Sequence, residues 1–286
     1  MSSSSEVKQE ADQITVSQEK YVLDVLRQFG MLDAVGCQVP MDPKLKLTKQ
    51  MAPKTEAEQI KAASFPYREI VGSLMYLMIS TRPDIAFAVG KLARFMNCHG
   101  PSHHDAAKQV LRYLRATSTL GLTYSRSSPT LTAFSDADYA SDIDTRRSTT
   151  AYIFTLAGAA VSWKSTAQPT VATSTMEAEY MALAEAAKEA IYMRNLCSDF
   201  GLSPTEPVTL LGDNQSSIAM AKNPVLHSAS KHIDVRHHFV REKVENGDLD
   251  LQYISTSLML ADALTKPLSK NLLQGLRSQI FGQKQR

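Results

Sequence analysis

The stretch TLTAFSDADYA at residues 130–140 carries the features that decide the fold of this chain. Its Thr, Leu and Phe residues are typical of a β-strand, and the strand is predicted to end on Asp136. A second short apolar run, VTLLGDNQSS at residues 208–217, also ends on an acid, Asp213. Acids at the ends of neighbouring strands of an open α/β sheet point into one crevice, where such folds bind ligands.

The sequence around this stretch predicts an α/β domain with a mixed five-stranded sheet and flanking helices. Hydrophobic periodicity and turn residues predict strands at 122–134, 151–164, 168–173, 208–212 and 249–254. They predict helices at 67–80, 83–97, 105–116, 175–199, 214–222, 233–245 and 258–281. The first half of the chain is therefore expected to be mostly helical.

Composition restricts the class of protein. The chain has 286 residues, 43% of them hydrophobic and 21% charged, which is typical of a globular protein of one or two domains. The net charge is +2, yet residues 82–126 hold seven Lys and Arg against two Asp, a local excess that suits contact with nucleic acid.

Targeting and cysteine patterns exclude several further classes. The three cysteines are far apart and form no CxxC pair, so neither a disulfide framework nor a zinc site is expected. The N-terminus lacks the apolar region of a signal peptide, and no apolar run reaches membrane-spanning length. We expect a cytoplasmic or nuclear protein without a membrane partner.

Two further acids complete a candidate metal site. Glu179 lies in the first turns of the long predicted helix (STMEAEYMAL), and Asp262 opens the last one (LMLADALTK). With Asp136 and Asp213 they make an all-oxygen ligand set suited to Mg²⁺ or Mn²⁺. Taken singly, each acid also has an ordinary structural interpretation, as a turn former, a helix cap or a solvated helix residue.

The segments around these acids resemble the Pol polyproteins of copia-type retrotransposons, and the resemblance covers residues 14–280 or so. The segments that resemble the RNase H motifs are SDADYASDIDTRRSTTAYIF, VSWKSTAQPTVATSTMEAEYMAL, LGDNQSSIAMAKNPVLHSASKHIDVRHHFVRE and ADALTKPL. The segments that resemble the preceding reverse-transcriptase region are ITVSQEKYVLDVLRQFGM, YREIVGSLMYLMISTRPDIAFAVGKLARFM and AAKQVLRYLRATSTLGLTY. These matches are long and occur in the family's order.

The resemblance implies a ribonuclease H, which cleaves the RNA strand of RNA–DNA hybrids by two-metal-ion phosphodiester hydrolysis with Mg²⁺ or Mn²⁺. The products would carry 3′-hydroxyl and 5′-phosphate ends. The catalytic and metal-binding residues it implies are Asp136, Glu179, Asp213 and Asp262. Glu177 is the alternative to Glu179, which we favour because the family pattern Glu-x-x-Ala matches Glu179 and Ala182.

The resemblance also implies a domain organisation. We expect a disordered tail at residues 1–13, a reverse-transcriptase thumb or connection remnant at 14–125 and an RNase H-like domain at 126–286. The Asp-Asp motif of the polymerase is absent from the sequence, so we expect no DNA synthesis by this chain alone. The remainder of a Pol polyprotein is a candidate partner beside the RNA–DNA hybrid.

Basic and amide side chains are candidates for contact with the hybrid. The predicted turn after the first strand carries two arginines, and one helix carries three cations at i, i+4 and i+7 spacing on one face. Each group suits either a solvated surface or a track for phosphates, whose binding weakens steeply with salt. The candidates are Arg146, Arg147, Asn214, Gln215, Lys231, Arg236, Lys108, Arg112 and Arg115.

Two other functions fit parts of the sequence. A non-catalytic nucleic-acid-binding remnant of a Pol polyprotein would explain the missing polymerase motif, although the intact acids argue against decay of the site. A transposase or integrase could use the same fold. The segments TMEAEYMAL and ADALTKPL favour RNase H over this second alternative.

Overall fold

The computed structural model describes residues 5–126, 130–202, 206–222 and 231–283, without the side chains of residues 231–237. It divides the chain into two compact units. Unit 1 comprises Met1–Tyr124 and Lys266–Arg286, and unit 2 comprises Ser125–Thr265.

The first part of the chain is mostly helical, and the second part contains both strands and helices. The strands are β1 (Glu6–Gln9), β2 (Gln13–Ser17), β3 (Gly121–Ser125), β4 (Thr132–Asp138), β5 (Thr149–Leu156), β6 (Ala159–Ala167), β7 (Val208–Gly212) and β8 (Leu249–Tyr253). The α-helices are α1 (Glu19–Gln28), α2 (Glu56–Ala63), α3 (Tyr67–Ser80), α4 (Ala86–Ala93), α5 (Pro101–Ala116), α6 (Thr175–Asp199), α7 (Gln215–Lys222), α8 (Lys231–Glu245), α9 (Asp262–Thr265) and α10 (Lys270–Ile280).

Unit 1 is mostly helical, as the sequence predicts, and it also contains a small sheet of order β1-β2-β3. Each of its longer helices buries an apolar stripe, because apolar residues recur at three- and four-residue spacing. In α3 the buried stripe is Ile70, Val71, Leu74 and Leu77. Gly30 follows α1 with a positive φ of 65°, a conformation that favours glycine at the end of a helix.

A buried ion pair lies in the core of unit 1. The Arg82 guanidinium donates two hydrogen bonds to Asp84, at 2.9 and 2.8 Å, and one to Thr117 Oγ1 at 2.7 Å. The hydroxyl of Tyr113 donates to the same carboxylate at 2.7 Å. Arg82 and Asp84 are each 1% exposed, so these hydrogen bonds compensate two charges that have lost their water.

Unit 2 has the RNase H-like fold that the sequence predicts. Its five strands are ordered β6-β5-β4-β7-β8. The pairs β4–β5 and β5–β6 are antiparallel, whereas β4–β7 and β7–β8 are parallel. The long helix α6 packs on β4 and β5. Its alanine-rich face shares a core with strand residues such as Ala133, Phe154 and Leu210, which places the sheet's centre out of water.

Three predicted strands of this unit differ from the structure. The run 122–134 is divided between β3 and β4, and the run 151–164 contains a hairpin. Ala157 and Gly158 form its two-residue turn, both with positive φ, which is the geometry that matches the twist of paired strands. The predicted strand at 168–173 is wrong, because Gln168 turns inward and donates to Thr150 Oγ1 and Ala178 O, both at 2.9 Å.

The predicted boundaries at both ends of the chain also differ from the structure. The predicted disordered tail, residues 1–13, includes β1, which pairs antiparallel with β2. The predicted last helix is divided into α9 and α10, with Pro267 between them. Helix α10 belongs to unit 1 and not to the RNase H-like unit, because its apolar face is buried there and Phe281 O accepts from Thr123 N at 2.9 Å.

The structure divides the chain at Tyr124/Ser125, one residue from the predicted boundary. The interpretation of residues 14–125 as a thumb or connection segment stays a prediction. Among the described residues, no helix combines the length and the apolar composition that crossing a bilayer requires.

The buried pair gives a stability prediction for unit 1. Asp84→Asn leaves the Arg82 guanidinium buried without its countercharge, so we expect the free energy of unfolding to fall by about 3–5 kcal/mol. The exposed pair Arg27–Asp24 is the matched control. Asp24→Asn should cost less than about 1 kcal/mol. Urea unfolding of both variants measures the difference, and equal losses would contradict the role of burial.

A histidine pair gives a pH prediction. His99 Nδ1 and His104 Nε2 lie 2.8 Å apart, and burial, followed by the neighbouring His99, lowers the pKa of His104 from 6.5 to about 4. At a pH between these two pKa values, the His104 side chain is protonated in the unfolded chain and neutral in the folded protein. Stability is therefore retained above about pH 6.5 and falls as the pH is lowered toward 4. Thermal unfolding of His104→Gln should show a smaller fall than the unchanged protein; an equal fall would assign it to other groups.

Candidate metal centre

The sheet register brings two of the predicted acids to the same edge. Strands β4 and β7 are parallel neighbours, and Phe134 pairs with Leu211. Asp136 and Asp213 each follow their paired residue by two positions, so both side chains leave the carboxyl ends of adjacent strands. Ligand sites of open α/β sheets lie outside those strand ends.

Asp262 reaches these two acids from the start of α9. This four-residue helix packs against β4 and β5. One carboxylate oxygen from each of Asp136, Asp213 and Asp262 lies within 4.8 Å of the other two. Asp136 and Asp262 are 2% and 1% exposed, and Asp213 is half-buried. Three of the four predicted acids therefore meet in one cluster that faces solvent on the Asp213 side.

The donor set of this cluster fits a divalent cation. All three donors are carboxylate oxygens, the ligands that Mg²⁺ and Mn²⁺ prefer, and the described residues contribute no His or Cys to the group. Carboxylates so close repel one another, and burial of two of them removes the water that would screen the repulsion. A bound cation neutralises the cluster, so the arrangement is suited to hold one.

Two threonine hydroxyls hold carboxylates of the cluster. Thr265 Oγ1 donates a hydrogen bond to Asp136 Oδ2, and Thr256 Oγ1 donates to Asp213 Oδ2 at 2.7 Å. Neither threonine was predicted from the sequence. Thr265 follows Asp262 by one helical turn in the motif ADALTK, which is the signal that could have suggested it.

Glu179 is buried in the second turn of α6, 8% exposed, and it is not one of the three acids whose oxygens lie within 4.8 Å of one another. Its helix nevertheless approaches the strand that carries Asp136. Ala137 of that strand shares a buried cluster with Ala178 and Ala182 of α6, and such small side chains allow close packing of helix on sheet. The role of Glu179 as a ligand stays a prediction.

Glu177, the alternative acid, has a structural role at the start of α6. Its Oε2 accepts from the backbone N of Thr173 at 2.7 Å and from the hydroxyl of the same residue. Its own backbone N donates to the Oγ of the N-cap residue Ser174 at 3.1 Å. These bonds are those of a helix N-terminus, where backbone N–H groups lack partners within the helix.

Arg146 and Arg147 lie exposed in the loop between β4 and β5, as predicted. The loop is anchored from within: the buried Asp142 accepts from the N and Oγ1 of Thr145, at 2.8 and 3.0 Å. Arg146 has a positive φ of 57°, which is unusual for a residue with a side chain. The loop leaves β4 at the end that carries the acids, and contact of its arginines with phosphate stays a prediction.

The amides after Asp213 have different surroundings. Asn214 caps α7, because its Oδ1 accepts from Ser217 N at 2.9 Å. Gln215, the first residue of that helix, is exposed. Lys231 and Arg236 lie on α8, but their side chains fall outside the described part of the structure. Contact with nucleic acid stays a prediction for all four.

The three cations predicted on one helix face lie on α5 of unit 1. Lys108 Nζ lies 3.7 Å from Asp105 and 5.4 Å from the centre of the Phe65 ring. Arg112 is exposed, and Arg115 Nε donates to Leu32 O at 2.6 Å. Lys108 and Arg115 thus have partners within their own unit. Binding of phosphates along this face of α5 stays a prediction.

The chain is similar to transposon proteins over most of its length. It is 46% identical over 256 residues to the retrovirus-related Pol polyprotein from transposon TNT 1-94 of Nicotiana tabacum, covering 90% of this chain and 19% of that protein. It is 39% identical over 267 residues to the corresponding polyprotein from transposon RE1 of Arabidopsis thaliana, covering 93% of this chain and 18% of that protein. No family model matches the chain.

Among solved structures, LC11-RNase H1, isolated from compost by a metagenomic approach, is similar with a TM-score of 0.37 and 16% identity. The match covers 48% of this chain and 92% of that one. The fold assignment rests on the strand order and strand directions of unit 2. The sequence matches show strong homology of this chain to the retrovirus-related Pol polyproteins from copia-type transposons over most of its length, and the chain spans about a fifth of the length of these relatives.

Proposed function

We propose that this chain is a ribonuclease H that hydrolyses the RNA strand of RNA–DNA hybrids in a metal-dependent, endonucleolytic reaction. The observation that carries the proposal is the cluster of Asp136, Asp213 and Asp262 at the strand ends of an RNase H-like sheet. Homology to these Pol polyproteins supports an activity of the RNase H and reverse-transcriptase region. Three converging acids have no evident structural purpose, because their mutual repulsion destabilises the fold without a cation.

In the proposed site, Asp136, Asp213 and Asp262 bind Mg²⁺ or Mn²⁺ and Glu179 contributes a fourth carboxylate from α6. Cations bound in such a site would act as Lewis acids, which generate a nucleophilic water and stabilise the leaving oxygen. The carboxylates of Asp136 and Asp262 are almost fully buried. Asp213, on the more open side, faces the direction from which a substrate can approach.

The proposed substrate contacts surround this centre. The anchored loop between β4 and β5 presents Arg146 and Arg147 to phosphates, and Asn214 and Gln215 follow the ligand Asp213 directly. Amide groups of this kind can donate to and accept from a 2′-hydroxyl, the group that distinguishes RNA from DNA. Lys231 and Arg236 of α8 and the cations of α5 remain candidates for longer-range phosphate contact. The remainder of a Pol polyprotein is the proposed protein partner.

The first prediction is metal-dependent cleavage. The purified chain should cut the RNA strand of a labelled RNA–DNA hybrid in Mg²⁺ or Mn²⁺ and not in EDTA. Asp213→Asn should lower the rate by more than about 100-fold, because changes to groups that only support metal ligands already cost about 10–100-fold. Asp250→Asn on β8 is the matched control, since this acid bonds to Gln252 outside the cluster, and its rate should not change.

Binding distinguishes the alternative functions. Hybrid binding without cleavage in either metal would contradict the proposal and favour a non-catalytic nucleic-acid-binding remnant. Cleavage that persists in EDTA, or in the Asp213→Asn variant, would contradict the metal centre as its source. Preference for a DNA duplex over the hybrid would point to the transposase or integrase alternative.

A matched pair of variants tests the fourth ligand. Glu179→Gln should lower the cleavage rate by more than about 100-fold, since a neutral amide is a weaker ligand for a hard cation than a carboxylate. Glu177→Gln should stay within about 3-fold of the unchanged chain, because an amide oxygen can still accept the cap hydrogen bonds. Single-turnover cleavage rates of the two variants decide between the acids, and the reverse order would assign the role to Glu177.

A further inference from the structure

One short segment of the chain contacts every carboxylate of the cluster. Residues 256–265 carry Asp262 itself and the two hydroxyls that hold the other acids: Thr265 bonds to Asp136 and Thr256 bonds to Asp213. Asp136 lies on β4 and Asp213 directly follows β7. They are 129 and 43 residues away in sequence from their threonine partners. The segment therefore joins the three acids although they come from three separate elements.

The two hydrogen bonds leave each carboxylate with one defined orientation. In both, the hydroxyl donates to Oδ2, and a carboxylate can accept on each of its two oxygens. A hydrogen bond to a charged acceptor is also among the stronger ones, particularly in a buried position. Thr265 is 0% exposed and is held within α9, one helical turn after Asp262, so its hydroxyl position is fixed by the same turn that fixes this ligand.

We propose that Thr265 and Thr256 are positioning residues that orient Asp136 and Asp213 for cation binding, and that residues 256–265 thereby assemble the metal centre. This inference rests on the proposed function, because it takes the cluster to be a cation site. In this assignment the threonines are positioning residues and not catalytic residues. They act through the carboxylates, by restricting rotation and by offsetting part of the negative charge before the cation arrives.

The test measures cation affinity directly. Mn²⁺ binding to the full chain is followed by isothermal titration calorimetry, without any nucleic acid. Thr265→Val keeps the shape of the side chain and removes the hydroxyl, so the Mn²⁺ dissociation constant should rise by about 10–100-fold. Thr256→Val should raise it by about 10-fold. Thr265→Ser restores a hydroxyl and should return the constant to within about 3-fold of the unchanged chain.

Thr155→Val is the matched control. Thr155 lies on β5 in the same unit and its hydroxyl lies 3.4 Å from Thr132 O, outside the acid cluster. Its Mn²⁺ affinity should be unchanged. Far-ultraviolet circular dichroism checks that each variant is folded, and because Thr256 is exposed, its variant remains informative if the buried Thr265→Val fails to fold.

The outcomes separate this inference from the proposed function. Equal Mn²⁺ affinity of the unchanged chain and a folded threonine→valine variant overturns the inference and leaves the ribonuclease proposal standing. Weakened binding in the variants, rescued by serine, supports the inference even if the chain cleaves no hybrid, in which case the proposed activity fails alone. Absence of Mn²⁺ binding by the unchanged chain overturns both.

Discussion

The constraint on which the site depends is the repulsion between carboxylates held at the ends of β4, β7 and the start of α9. Two unit charges about 4 Å apart repel by about 4 kcal/mol at an effective dielectric constant near 20, which is a large fraction of the roughly 5–15 kcal/mol by which a typical domain is stable. The fold must therefore hold the acids together by packing elsewhere. The central strands do this, because residues such as Ala133, Leu210 and Leu251 are almost fully buried and fix the strand positions.

Strand register explains why the sequence could predict so much of the site. An acid that follows an apolar run marks the end of a strand, and parallel neighbours such as β4 and β7 place their ends together. The order of elements then predicts a mixed sheet. The hairpin at Ala157–Gly158 could not be predicted in the same way, since Ala-Gly is a weaker turn signal than Asn-Gly and the run reads as one strand. The inward turn of Gln168 likewise depends on partners distant in sequence.

At the ends of the chain and at the acids of α6, too, some features could be predicted from the local sequence, whereas others depend on tertiary contacts. Pro267 could have indicated the break between α9 and α10, whereas the burial of Phe281 in unit 1 is a tertiary contact that no local pattern announces. The spacing Ser174-x-x-Glu177 is typical of a helix start and could have assigned Glu177 to capping from the sequence alone. No such pattern in the sequence indicated the hydrogen bond that the Thr256 hydroxyl donates to Asp213.

Three physical factors combine to shape the proposed site, including Glu179 on α6, and each acts on a different degree of freedom. Register sets how far along the sheet Asp136 and Asp213 lie. Small side chains set how close the next layer comes, since Ala137 packs directly against the alanines of α6 and a larger residue would hold that helix away. Hydroxyl donors then restrict the rotation of the Asp136 and Asp213 carboxylates. A metal centre needs all three, because a ligand at the right depth but the wrong rotation presents no oxygen to the cation.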